Sequence, residues 1–191
     1  MIRIIIMVIL ALNMLIYRVS YMYYGIYQIE IHLSLYYCHI VNYLVILSLL
    51  MDYDKFYKIV YGLSWIGAIW VILFPDVSGG IDCFIFYTSF ISHNLLLVFV
   101  TFILVVKKLK YNFWDFIKST LLCAVIIIFT YLVNYDFGTN FNTLDSILGK
   151  YLYFNNAILG YLCLFIMGSV GNIIGLIINK LCLLKRKSVI V

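Results

Sequence analysis

Six apolar runs, each near 20 residues long, divide this chain, and few folds accommodate them. An α-helix rises about 1.5 Å per residue, so about 20 residues cross the roughly 30 Å of hydrocarbon in a bilayer. The runs predict spans over residues 4–24, 31–50, 58–74, 83–106, 114–134 and 156–179. Apolar residues make up 66% of the chain and charged ones 11%, against roughly a quarter charged in soluble domains. The expected fold is all-α: a polytopic membrane helix bundle of six transmembrane helices, forming a single integral membrane domain over residues 1–191. What lies between the runs is too short for a soluble domain, and nothing suggests a nucleic-acid partner.

The basic residues set the expected orientation. With both termini cytoplasmic, the inner side collects Arg3, Lys55, Lys58, Lys107, Lys108, Lys110, Lys118, Lys180, Lys185, Arg186 and Lys187. The outer side keeps Arg18 and Lys150, and this positive-inside bias predicts N-in and C-in. Glu30, Asp76, Asp82, Asp136 and Asp145 then fall outside, which makes the outer mouth acidic. The first run lacks a small-x-small cleavage site and is expected to stay as a span. Pro75, the only proline, stops the third run. No repeat relates the two halves, which weighs against an inverted-repeat transporter. Gly171 and Gly175, with Gly168 nearby, have the small-xxx-small spacing that lets helices approach, and packing is their simplest role.

Polar residues inside the spans carry the functional expectation. Glu30, Ser34, Cys38 and Asn42 recur every four residues, so on one continuous helix they form a slowly drifting stripe. Hydrocarbon offers such a stripe no partner, so it must face the bundle interior. Measured from the outer face, Cys38 lies roughly 12 Å deep on the second span and His93 roughly 16 Å deep on the fourth. A thiol and an imidazole at matched depth suit nucleophilic catalysis if these helices are neighbours. His39 is about 100° around the helix from Cys38 and is the poorer base. Asp82, Ser89 and His93 share a face of the fourth span, and Cys123, Thr130 and Asn134 one of the fifth. Three helices thus predict a cavity open to the outer leaflet. The five cysteines show neither Cys-x-x-Cys nor zinc spacing, so no metal and no cofactor is expected.

Four signatures carry a family resemblance. They are Leu33-Ser-Leu-Tyr-Tyr-Cys38, Phe74-Pro-Asp76, Phe90-Ile-Ser-His93 and Asn134-Tyr-Asp-Phe-Gly-Thr-Asn140. In order and spacing the chain resembles the YwaF family of bacterial six-span membrane proteins. It departs from the family at Ser34, where proline is usual, and at Tyr36, where histidine or glutamine is frequent. YwaF-like proteins are similar in turn to transmembrane acyltransferases and to androgen-induced-type hydrolases of fatty-acid esters. The resemblance implies a bacterial plasma-membrane protein that passes an acyl chain from a membrane lipid through a thioester on Cys38. His93 is then the base, and Ser34, Asn42, Ser89, Asn134 and Asn140 are candidate substrate or oxyanion contacts.

Rival classes remain. The substrate-binding subunit of an energy-coupling vitamin transporter fits the size, span count and cavity. The first run, however, has only Ala11 where those subunits carry an Ala-xxx-Ala docking pattern. An ion or proton pathway lacks charged residues near any span centre. A structural partner subunit without chemistry is the third.

Overall fold

Apolar runs free of internal proline satisfy their backbone groups by helix formation, and the computed structural model of the chain follows them. It describes residues 1–25, 35–73, 84–137 and 157–188. These contain α1 (Ile2–Tyr23), α2 (Tyr37–Met51), α3 (Asp54–Leu73), α4 (Phe84–Phe102), α5 (Phe113–Phe137) and α6 (Ala157–Ser188), with no strand among the described residues. A π turn over Ile103–Lys107 prolongs α4.

Four stretches are long and apolar enough to cross a bilayer: Ile2–Tyr23, Phe86–Lys107, Phe113–Asp136 and Leu159–Lys185. The protein is therefore a multi-pass membrane protein. Of the six expected spans, the second and third differ. Helix α2 is shorter at 15 residues, and α3 opens with Asp54, Lys55 and Lys58. The second run was expected to be helical from residue 31, yet α2 begins at Tyr37 behind an extended Tyr36 (φ −61, ψ 142). Of the polar stripe, Cys38 and Asn42 fall within the described residues, and both are on α2. Glu30, Ser34, Pro75, Asp76, Asp82, Asn140, Asp145 and Lys150 lie outside the described residues. At the far end α6 runs past the expected residue 179 to Ser188, because Leu, Lys and Arg are good helix formers.

Helix α3 is the hub, packed by α2, α4, α5 and α6, while α1 lies against α4 and α2. Tyr57, Val60, Tyr61, Leu63 and Ala68 on α3 are fully buried. Two hydrogen bonds tie it to the surrounding helices. Tyr61 donates to the Gly175 carbonyl at 3.0 Å, and Tyr37 of α2 donates to the Leu63 carbonyl at 3.3 Å. The glycines of α6 make the close approach possible: a Cβ on Gly171 would lie 2.9 Å from the backbone nitrogen of Ile66. This is the packing role their spacing predicts.

Ion pairs tie helix ends together. Asp52, in a left-handed turn after α2 (φ 51), meets Arg3 at 2.6 Å and Lys107 at 2.6 Å, and accepts from the Tyr57 hydroxyl at 3.0 Å. The start of α1, the end of α2, the start of α3 and the end of α4 therefore share one end of the bundle. Asn112 and Asp115 cap α5 reciprocally, the N–H of each donating to the other's side-chain oxygen at 3.1 and 3.0 Å. Asn179 of α6 holds the α4–α5 connection, accepting from the Tyr111 N–H and donating to the Leu109 carbonyl, both at 3.0 Å.

Candidate functional site

At the opposite end of the bundle, α1, α2 and α4 enclose a small, partly open recess with room for about one water. It is lined by Met14, Tyr17 and Arg18 from α1, His39 from α2, and Ser89, Ser92 and His93 from α4. Depth along the helices accounts for the meeting. His39 and Ser89 lie within two turns of the starts of α2 and α4, and Arg18 lies about as far from the end of α1.

His93 is buried, and its Nδ1 stands 2.7 Å from the carbonyl of Ser89, one turn back on α4. A carbonyl only accepts, so Nδ1 carries the proton and a neutral ring keeps its lone pair on Nε2. The ring is thereby fixed in the tautomer and orientation that a general base needs. His39 shares the recess and stands within electrostatic reach of His93 and of Arg18. Its ring packs against Tyr17 at 5.3 Å and Tyr36 at 5.8 Å, and its buried Nδ1 has no hydrogen-bond partner among the described residues.

The second wall is clamped by Asn13, whose Nδ2 donates to the Thr88 carbonyl at 2.8 Å and to the Ser92 hydroxyl at 2.6 Å. Arg18 donates to the Tyr43 hydroxyl and lies over that ring, 5.5 Å from its centroid.

Cys38 is half-buried at the second position of α2, one residue before His39 and within electrostatic reach of Tyr17 and Tyr37. Helices α2 and α4 pack on each other, and the residue α2 contributes to the recess lining beside His93 is His39, not Cys38. Asn42, one turn further along α2, is fully buried, and neither polar atom of its side chain has a partner among the described residues. Its amide N–H groups are thus unspent.

Asn134 lies elsewhere: it donates to the Tyr161 hydroxyl and so joins α5 to α6. Thr130 bonds the Ile126 carbonyl of its own helix, and Cys123 is buried against Gly168. On this face of α5, Asn134 and Cys123 meet α6 and Cys123 also meets Tyr37 of α2, and none of Cys123, Thr130 and Asn134 lines the recess. Ser34 and Asn140 lie outside the described residues. The contribution of α1 was missed entirely. Its signal was an arginine inside an apolar run, with Asn13 and Tyr17 four residues apart. Among the described residues no three His, Cys, Asp or Glu side chains gather as metal ligands.

The model of the TMEM164 family matches residues 1–170. The chain belongs to the TMEM164 family. Among curated proteins and among solved structures nothing matches. The match takes in α1 to α5 and the start of α6, so every residue lining the recess falls within the TMEM164 region.

Proposed function

We propose that this TMEM164-family protein is a six-span enzyme of the bacterial plasma membrane, with both termini cytoplasmic, that moves an acyl chain from a membrane lipid through Cys38. The observation that carries the proposal is His93: a buried imidazole, oriented through Nδ1, with Nε2 left as the basic atom in a recess beside the start of α2. The YwaF-like signatures around Cys38 and His93 support the same pair. The Arg3–Asp52–Lys107 cluster gathers basic groups at one bundle end, in keeping with that end being cytoplasmic.

In this reading His93 Nε2 accepts the thiol proton as Cys38 Sγ attacks the ester carbonyl. The thioester forms, the ester C–O bond breaks, and the departing alkoxide takes the proton from His93. An alcohol, amine or water then attacks the thioester, gives its proton to His93, and regenerates the thiol. The unspent amide of Asn42, one turn from Cys38, is the candidate donor to the oxyanion.

The test is labelling of the protein in detergent with a thiol-reactive acyl probe. Label that depends on Cys38 and His93 but survives Cys123→Ala is the expected result. Equal labelling of Cys38→Ala, His93→Ala and Cys123→Ala overturns the enzyme, and co-purification with an ATPase module points to a transporter subunit instead.

A further inference from the structure

Lys118 is a charged residue on a face that meets hydrocarbon. Trp114, Lys118, Leu121, Val125, Ile128 and Leu132 follow one another along α5 in steps of four and three, which keeps them on one face, and all are exposed. The other side of α5 packs on α3 and α6. Helix α5 contains one of the stretches able to cross a bilayer, so this stripe faces acyl chains. Its apolar members suit them. Lys118 does not: it lies about 7.5 Å in from Phe113 at 1.5 Å per residue, and an ammonium in hydrocarbon must find water or an anion.

The start of α5 stands level with the start of α3, because Lys58 reaches Asp115 at 3.8 Å and the Ser119 hydroxyl donates to the Ile59 carbonyl at 2.8 Å. All the basic residues except Arg18 and Lys150 gather at this end of the bundle, with only Asp52, Asp54 and Asp115 as acids. Asp52 is engaged by Arg3 and Lys107, and Asp115 is buried against Lys58 and the Asn112 N–H. Asp54 opens α3 beside Lys55. The ion pairs among the described residues do not include Lys118. Glu30, Asp76, Asp82 and Asp145 belong to segments 26–34, 74–83 and 138–156, whose flanking helix ends all lie at the opposite end. The bilayer therefore stands between those carboxylates and Lys118.

We infer that the first turns of α5 hold the head of an anionic phospholipid, with its phosphate on Lys118 and its ester region beside Trp114. Side chains on a helix lean toward its N-terminus, so the Lys118 ammonium is carried back toward Trp114 and the headgroup level. An indole is at home at that level. One acyl chain then lies along Leu121, Val125, Ile128 and Leu132, about 16 Å of helix and so about one leaflet of hydrocarbon. The surplus of basic groups at this end repels the ammonium of a zwitterionic head, whereas phosphatidylglycerol brings none. The site is separate from the recess and independent of the reaction assigned to Cys38.

Trp114 reports on its own lipid, because bromine on an acyl chain quenches an indole that it touches. The full chain is reconstituted in vesicles of equal parts phosphatidylcholine and brominated phosphatidylglycerol, or of equal parts phosphatidylcholine and brominated phosphatidylcholine. The quenching lost in Trp114→Phe belongs to this site. Phosphatidylglycerol should be favoured there about fivefold, the attraction of about one lysine at a charged surface. Lys118→Gln should bring the two lipids level, and Lys118→Arg should keep the preference. Lys55→Gln, exposed at the same end but on α3, should leave it intact. Equal quenching of the wild type by the two lipids overturns the inference and leaves the basic end to an acidic protein partner. A preference that survives Lys118→Gln overturns it as well. Loss of the preference in Lys55→Gln overturns it too, since the general surface charge would then be the cause.

Discussion

Replacing Asn179 with alanine removes the side chain that holds the short connection between α4 and α5. Asn179 is 2% exposed and satisfies two backbone groups, the Tyr111 N–H and the Leu109 carbonyl, each at 3.0 Å. The two losses are unequal. Tyr111 is 3% exposed, so its orphaned N–H has no water to turn to and costs about 1–3 kcal/mol. Leu109 is half-buried, and its carbonyl can be hydrated at a cost nearer about 0.5 kcal/mol. Hydrogen bonds between membrane helices average only about 0.6 kcal/mol, because separated helices find other partners. The Tyr111 N–H sits in a non-helical connection and has no such substitute, so its desolvation decides the total. Asn179→Ala should therefore lose about 2–3 kcal/mol. Unfolding by sodium dodecyl sulfate in mixed micelles, followed by tryptophan fluorescence, measures this. Lys180→Ala at the exposed neighbouring position should stay within about 0.5 kcal/mol of wild type. A loss below about 0.5 kcal/mol for Asn179→Ala would refute the argument, since the Tyr111 N–H would then be hydrated in the folded protein.

Other expectations follow from single contacts. Gly171→Ala presses a methyl group onto the Ile66 backbone and should destabilise by about 1–3 kcal/mol in the same assay. Gly160→Ala on the same helix meets nothing within 4 Å and should be neutral or gain up to about 1 kcal/mol from helix propensity. Asn13→Leu removes the two α1-to-α4 hydrogen bonds to the Ser92 hydroxyl and the Thr88 carbonyl and should loosen α1 from α4, seen as faster hydrogen exchange in α1 with α5 and α6 unchanged. Asp52 is held at about 2, below its ordinary 3.8, chiefly by the Lys107 hydrogen bond, with Tyr57 and the charges of Lys107 and Arg3 adding to it. A depressed carboxylate stabilises above its unfolded value, and that contribution is lost as pH falls from about 4 to about 2. The midpoint of thermal unfolding should fall across that window in the wild type, and Asp52→Asn should be flatter there.

The all-helical class was readable because the bilayer sets a length, and a chain that crosses it must repeat apolar runs of that length. Register at the ends was not. Nothing in Leu35-Tyr-Tyr-Cys38 marks the residue where helix begins, and only the structure shows an extended Tyr36 turning Tyr37 into the core toward Leu63. His93 on α4 and Cys123 and Thr130 on α5 are buried within the bundle. Sequence depth, however, does not say which helices are neighbours in the membrane plane. The structure stations α3 among α2, α4, α5 and α6, so Asn134 reaches α6 while His93 joins a recess walled by α1. Arg18 was counted as a topological charge, which hid its place beside the two imidazoles.

The position of α3 has a consequence for how the protein is made. Surrounded by four helices, it can carry tyrosine hydroxyls, glycines and charged first-turn residues that a lone segment in lipid could not. Such a segment partitions poorly on leaving the translocon. Its Tyr61 hydroxyl has its acceptor, the Gly175 carbonyl, on α6, so this buried donor is satisfied only once α6 packs beside it. The seating of α3 thus depends on α6 as well as on α2, α4 and α5.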